Sequence, residues 1–245
     1  MNKSASQLQL YLWLLTLGPA SVALITELNK RTLIRHMRIV DFADLVLVAP
    51  MLILLFLAIT QLVIARKSTP AYWATLLLSI LMIYGHSMHV TANAINTYST
   101  EIQNYRSIIP EDTYGLIYFF DEMLGHWLLY IGLFGTMGMW VSESQITHEQ
   151  VNGMRIGGFL IGLFLSISII ESSQPIIVPL AAGWLVCVIA YKVLRVSRAV
   201  RADRFKIDLF ANYAALLVVG LIVGALGYLL FTGGLTQPSD LFWNL

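Results

Sequence analysis

Leu45-Val46-Leu47-Val48-Ala49-Pro50-Met51-Leu52-Ile53-Leu54-Leu55-Phe56-Leu57-Ala58-Ile59 opens an uncharged run that lies between Asp44 and Arg66. Crossing the hydrocarbon of a bilayer takes roughly 20 apolar residues in a helix, and this run supplies them. Working outward, six further runs have the same character. The sequence predicts an all-α polytopic membrane protein, a single seven-helix bundle, with spans at 8–28, 40–65, 71–95, 114–141, 154–173, 175–193 and 207–232. The run from Leu8 to Leu28 is too long for a signal-peptide core and is read as a span.

Composition agrees. The chain is 58% hydrophobic and 12% charged, with a mean hydropathy of +0.74. A soluble domain is about a quarter charged. The net charge of +1 gives no reason to expect a nucleic-acid partner, and membrane lipids are the expected surroundings. The lone cysteine, Cys187, excludes an internal disulfide.

Details within the runs add expectations. Pro50 should kink the second span. Glu171-Ser172-Ser173-Gln174-Pro175 reads as a tight polar hairpin, with Pro175 and Pro179 in the first turns of the sixth span. Gly158 with Gly162, and Gly220 with Gly224, are small-residue pairs for close helix packing. Tyr72, Trp73, Trp140 and Trp243 read as interfacial aromatics.

Lys and Arg in the loops set orientation. Lys3, Arg66, Lys67, Arg155, Lys192, Arg195, Arg198, Arg201, Arg204 and Lys206 fall on one side. Lys30, Arg31, Arg35, Arg38 and Arg106 fall on the other. The bias predicts a cytoplasmic N-terminus in the cell membrane, although the first loop is also basic.

Two stretches carry the functional expectation: Tyr84-Gly85-His86-Ser87-Met88-His89-Val90-Thr91-Ala92-Asn93 and Phe120-Asp121-Glu122-Met123-Leu124-Gly125-His126-Trp127. Ionisable side chains inside a span are expensive and usually face a protein interior. His86, His89 and Asn93 share one helical stripe; Tyr118, Glu122 and His126 share another. Asp121 is turned about 100° from Glu122 on a regular helix. At 1.5 Å per residue, His86 and His126 lie about 14 and 18 Å below the same face. Asp41, Asp44, Glu27, Glu171 and Gln174 lie toward that face too.

Three imidazoles and a carboxylate suit zinc or another divalent transition metal. His86, His89 and His126 would be the ligands. Asp121 or Glu122 would take a proton from bound water, with Asn93, Tyr118, Asp44 and Glu171 around them. Each group also has a plainer role. A span histidine is often a hydrogen-bonded packing residue, Glu122 and His126 could simply bond each other, and Asp41 and Asp44 could pair with Arg35 or Arg38.

His89-Val90-Thr91, followed by Phe120-Asp121-Glu122-Met123-Leu124 and Trp127, resembles the alkaline ceramidases, of the wider CREST group of seven-span membrane hydrolases. The resemblance implies a zinc-activated water that hydrolyses a lipid amide or ester. His89 would match the family histidine and Asp121 the family aspartate. The family serine position is Gly85 here, and the last span lacks the family histidine pair. His86 and His126 would have to replace those ligands.

Other chemistries fit less well. No lysine lies between Ile207 and Gly233 to form a retinal Schiff base, and five histidines are too few for a membrane desaturase. The alternative to a metal-dependent hydrolase is a protein that binds or transports a metal ion, protons or haem through the same cluster. For haem, His86 and His126 would be axial ligands.

Overall fold

The computed structural model describes residues 3–27, 33–34, 37–64, 69–97, 110–144, 146, 152–199 and 208–235. They form seven long helices: α1 (Lys3–Glu27), α2 (Ile39–Val63), α3 (Pro70–Thr97), α4 (Glu111–Glu143), α5 (Asn152–Glu171), α6 (Ile177–Ala199) and α7 (Leu209–Thr232). Six of these, α2 to α7, are long and apolar enough to cross a membrane. The chain is therefore built as an integral membrane protein. α1, expected as the first span, is a 25-residue helix outside that six. A short antiparallel hairpin, β1 (Leu33–Ile34) with β2 (Met37–Arg38), precedes α2 and was not expected. His36, His148, Trp243, Lys30, Arg31, Arg35, Arg66, Lys67, Arg106, Arg201, Arg204 and Lys206 lie outside the described residues, as does most of the loop 96–113.

Two compact units make up the chain. The first comprises Met1–Thr16, Ala58–Leu76 and Phe134–Leu245; the second comprises Leu17–Leu57 and Leu77–Leu133.

In the first unit, α5 and α7 pack backbone against backbone. A Cβ at Gly158 would strike the Tyr213 carbonyl oxygen, one at Gly162 that of Leu217, and one at Gly220 that of Phe159. Without side chains at these positions the helices close on van der Waals packing, the main attraction available between helices in lipid. Gly162→Val should therefore destabilise the protein by about 1–3 kcal/mol or more, the usual cost of overpacking. A thermal melt in detergent checks this, and an unchanged midpoint would refute it.

Aromatic residues fill the rest of that unit. Trp140 is fully buried, donates its indole N–H to Thr60 Oγ1 at 2.9 Å, and packs edge-on against Phe210. Trp140 is thus core, not interfacial belt. Its N–H finds a hydroxyl inside the protein and needs no headgroup. Trp73, by contrast, is exposed. The α5–α6 hairpin turns where expected. Ser173 takes a left-handed φ of 55°, and Ser172 Oγ donates to the Ile169 carbonyl at 2.7 Å. α7 begins at Asp208, whose carboxylate accepts the Ala211 N–H at 2.8 Å. It ends at Gly233, in the left-handed region at φ 73°.

Among the described residues, the second unit contains two departures from α-geometry. Asp44–Val48 in α2 and Phe119–Gly125 in α4 are π-helical, with i→i+5 bonding. Pro50 follows the first of these. A proline ring clashes with the carbonyl four residues earlier, here Val46. The wide turn carries that carbonyl, and it is how this helix meets the irregularity expected at Pro50.

Candidate functional site

α3 and α4 approach each other closely in the second unit. A Cβ at Gly85 would meet the Leu129 amide nitrogen and lie 2.6 Å from the Gly125 oxygen. One at Gly132 would meet the Met82 amide nitrogen. Gly85 stands where the ceramidase-like pattern carries serine. No side chain of any kind fits there without moving α4, so this position serves helix contact.

That approach seats His89 against the wide turn of α4. His89 Nδ1 donates to Asp121 Oδ1 at 2.6 Å. The Asp121 side chain is 4% exposed and that of His89 26%. His126 packs against His89, with ring centroids 4.2 Å apart. A regular α-helix would turn residues 121 and 126 well away from each other, since five residues exceed one turn of 3.6. In a π turn, i and i+5 are hydrogen-bond partners. Phe119–Gly125 therefore lets Asp121 and His126 both reach His89. The assumption of α-geometry turned Asp121 away from the other groups, and the wide turn reverses that.

His126 Nδ1 donates to the Glu122 carbonyl oxygen at 3.2 Å and lies 3.5 Å from Glu122 Oε2. A carbonyl only accepts, so Nδ1 carries the proton and Nε2 is bare. The same logic applies to neutral His89, whose Nδ1–H is spent on Asp121. The His126 side chain is 6% exposed and stacks on Tyr130 at a centroid distance of 6.0 Å. Of the two imidazoles, His89 is the more exposed.

His86 is engaged elsewhere. Its Nε2 is 3.5 Å from Asp44 Oδ1, on the wide turn of α2. Asp41 forms a two-point pair with Arg38, at 2.9 and 3.2 Å, one of the pairings expected for it. Asn93 is half-buried on α3, one turn beyond His89. Tyr118 was expected on the stripe of Glu122 and His126, but is 45% exposed. The π turn starts at the next residue and breaks the spacing that would have aligned it. Glu171 is exposed at the end of α5, in the first unit.

The expected three-histidine shell is thus distributed. His89 and His126 adjoin, and His86 faces Asp44. Among the described residues, no three His, Cys, Asp or Glu side chains are placed to hold one metal ion. The residues present do not fit a three-ligand zinc site. What they do form is a carboxylate–imidazole pair with a second imidazole against it. Placing these groups among apolar helices carries a desolvation cost that packing alone does not require.

Comparison with protein-family models, with curated proteins and with solved structures found nothing similar to this chain.

Proposed function

We propose that this chain is an integral membrane hydrolase of a lipid amide or ester, with His89 and Asp121 as its acid–base pair. The observation that carries the reading is the 2.6 Å bond between a part-exposed imidazole and a buried carboxylate. Asp121 fixes the tautomer that leaves His89 Nε2 bare. That nitrogen takes a proton from water as the water oxygen bonds to the substrate carbonyl carbon. When the tetrahedral intermediate collapses, the C–N or C–O bond breaks. His89 then returns the proton to the departing amine or alkoxide. His126 buttresses the His89 ring, and Glu122 positions His126.

Among the described residues no three such groups are placed to hold the zinc-like ion expected from the sequence, so no step is routed through it. The excess of Lys and Arg in the loops on the N-terminal side supports a cytoplasmic N-terminus in the cell membrane.

The test is an assay of the purified full chain against lipid esters and amides, beside elemental analysis and a proton- and ion-flux assay in liposomes. The expected result is hydrolysis without flux. Flux without hydrolysis would replace the reading with transport. Hydrolysis with stoichiometric zinc would make His89 and His126 ligands and transfer the base role to Glu122.

A further inference from the structure

The acid–base pair moves a proton, but the substrate carbonyl oxygen also needs a partner. When water adds to a carbonyl, negative charge builds on that oxygen, and a donor aimed at it stabilises the transition state. Most groups around His89 cannot donate. Asp44, Asp121 and Glu122, as carboxylates, only accept. His126 spends its Nδ1 proton on the Glu122 carbonyl oxygen at 3.2 Å. His86 Nε2 faces Asp44 Oδ1 at 3.5 Å, and that carboxylate competes for any proton it carries. Gly85 has no side chain. Tyr118 precedes the wide turn of α4 and is 45% exposed.

Asn93 has the chemistry these groups lack. It stands four residues after His89 on α3. That spacing puts both side chains on one face, with Cβ atoms about 5–6 Å apart. Side chains on a helix lean toward its N-terminus, so Asn93 leans back over the turn that carries His89. Ser87 and Thr91, two residues to either side of His89, are turned about 200° away. Asn93 is half-buried, neither sealed in the core nor fully hydrated. It is also about 6 Å of helix rise nearer the end of α3 than His89. A lipid carbonyl entering from that end passes Asn93 first. An amide has two N–H donors, so one bond elsewhere still leaves an N–H for the substrate. Its donors do not titrate, whatever the charge on the neighbouring acids and imidazoles.

We propose that Asn93 donates from Nδ2 to the carbonyl oxygen of the scissile amide or ester as that oxygen becomes an oxyanion. The water oxygen bonds to the carbonyl carbon, the C=O pair moves onto oxygen, and Asn93 holds it there. The pair returns as the C–N or C–O bond breaks and His89 delivers its proton to the leaving group. This role rests on the hydrolase reading.

Turnover and analogue binding by the purified full chain test it. Asn93→Ala should lower kcat by about 10²–10³-fold, the loss expected for one oxyanion donor, with KM within a few-fold of wild type. Asn93→Asp, of equal size but without the N–H donors, should lose at least as much. Asn93→Gln, which keeps them, should recover part. The midpoint of the pH profile of kcat/KM should stay where it is in Asn93→Ala, because His89 remains the base. A long-chain alkylphosphonate monoester, an anionic mimic of the tetrahedral intermediate, should bind Asn93→Ala more weakly by about the factor lost in kcat/KM. A non-cleavable ether lipid should bind both proteins alike. Full turnover in Asn93→Ala overturns the proposal and leaves the hydrolase reading standing. Equal losses of phosphonate and ether affinity overturn it too, because Asn93 then only shapes the pocket. A wild type that cleaves neither esters nor amides removes the hydrolase reading and this role together.

Discussion

Asp121→Asn is expected to lower lipid hydrolysis by roughly 10²–10⁴-fold, the range for losing an acid–base function, while the helices stay folded. The carboxylate accepts the His89 Nδ1 proton at 2.6 Å and is nearly fully buried. An amide there can turn its NH₂ toward the ring. That would favour the tautomer with a bare Nδ1 and a protonated Nε2, which cannot take a proton from water. Size and shape barely change, so circular dichroism and the melting midpoint should remain close to wild type. His89→Ala should lose at least as much. Glu122→Gln should cost far less, because the 3.5 Å approach of its carboxylate is to His126, the buttressing ring. Matched turnover in Asp121→Asn and the wild type would remove Asp121 from the chemistry. A larger loss in Glu122→Gln than in Asp121→Asn would move the base to Glu122.

This asymmetry between two adjacent acids was only half legible in the sequence. That His89, His126 and the two acids would lie near one another could be read, because histidines and an Asp-Glu pair stand out in apolar runs. Which acid meets which imidazole could not. The stripes assumed 3.6 residues per turn, and the wide turn at Phe119–Gly125 breaks that assumption where the acids sit. Nothing in the hydrophobic pattern marks a π turn, because its flanks are ordinary helix. The same holds at Asp44–Val48, where Pro50 signals an irregularity but not its kind. Span limits were legible for the opposite reason. They follow from the length of apolar runs, and α2 begins at Ile39 where the run was placed at 40. The small-residue pairs were visible as well, and Gly158, Gly162 and Gly220 meet the opposing backbone. Gly85 and Gly132 serve the same purpose between α3 and α4 without a GxxxG spacing, so they went unread.

Lys192→Met should be among the most destabilising single changes outside the candidate site, at about 3–5 kcal/mol, the usual cost of stripping one partner from a buried ion pair. From sequence, Lys192 is one basic residue in a row that faces the cytoplasm. In the structure its side chain is 9% exposed, and its ammonium donates to Asp208 Oδ2 at 2.7 Å and to the Ser144 carbonyl oxygen. It therefore ties α6 to the start of α7 and the end of α4, instead of facing headgroups. Asp208 has a second task, since its other oxygen caps α7 through the Ala211 N–H. Removing the lysine leaves a carboxylate that is 12% exposed and lacks this cation. Asp208→Asn keeps a capping oxygen but leaves the ammonium without its anion, so it should also destabilise. The double variant Lys192→Met/Asp208→Asn has neither stranded charge and should recover most of the loss, because replacing a whole buried pair is often close to neutral. Thermal or denaturant unfolding of the four proteins in one detergent gives the coupling directly. Additive losses in the double variant would mean that the two charges do not sense each other, and that Lys192 acts through Ser144 alone.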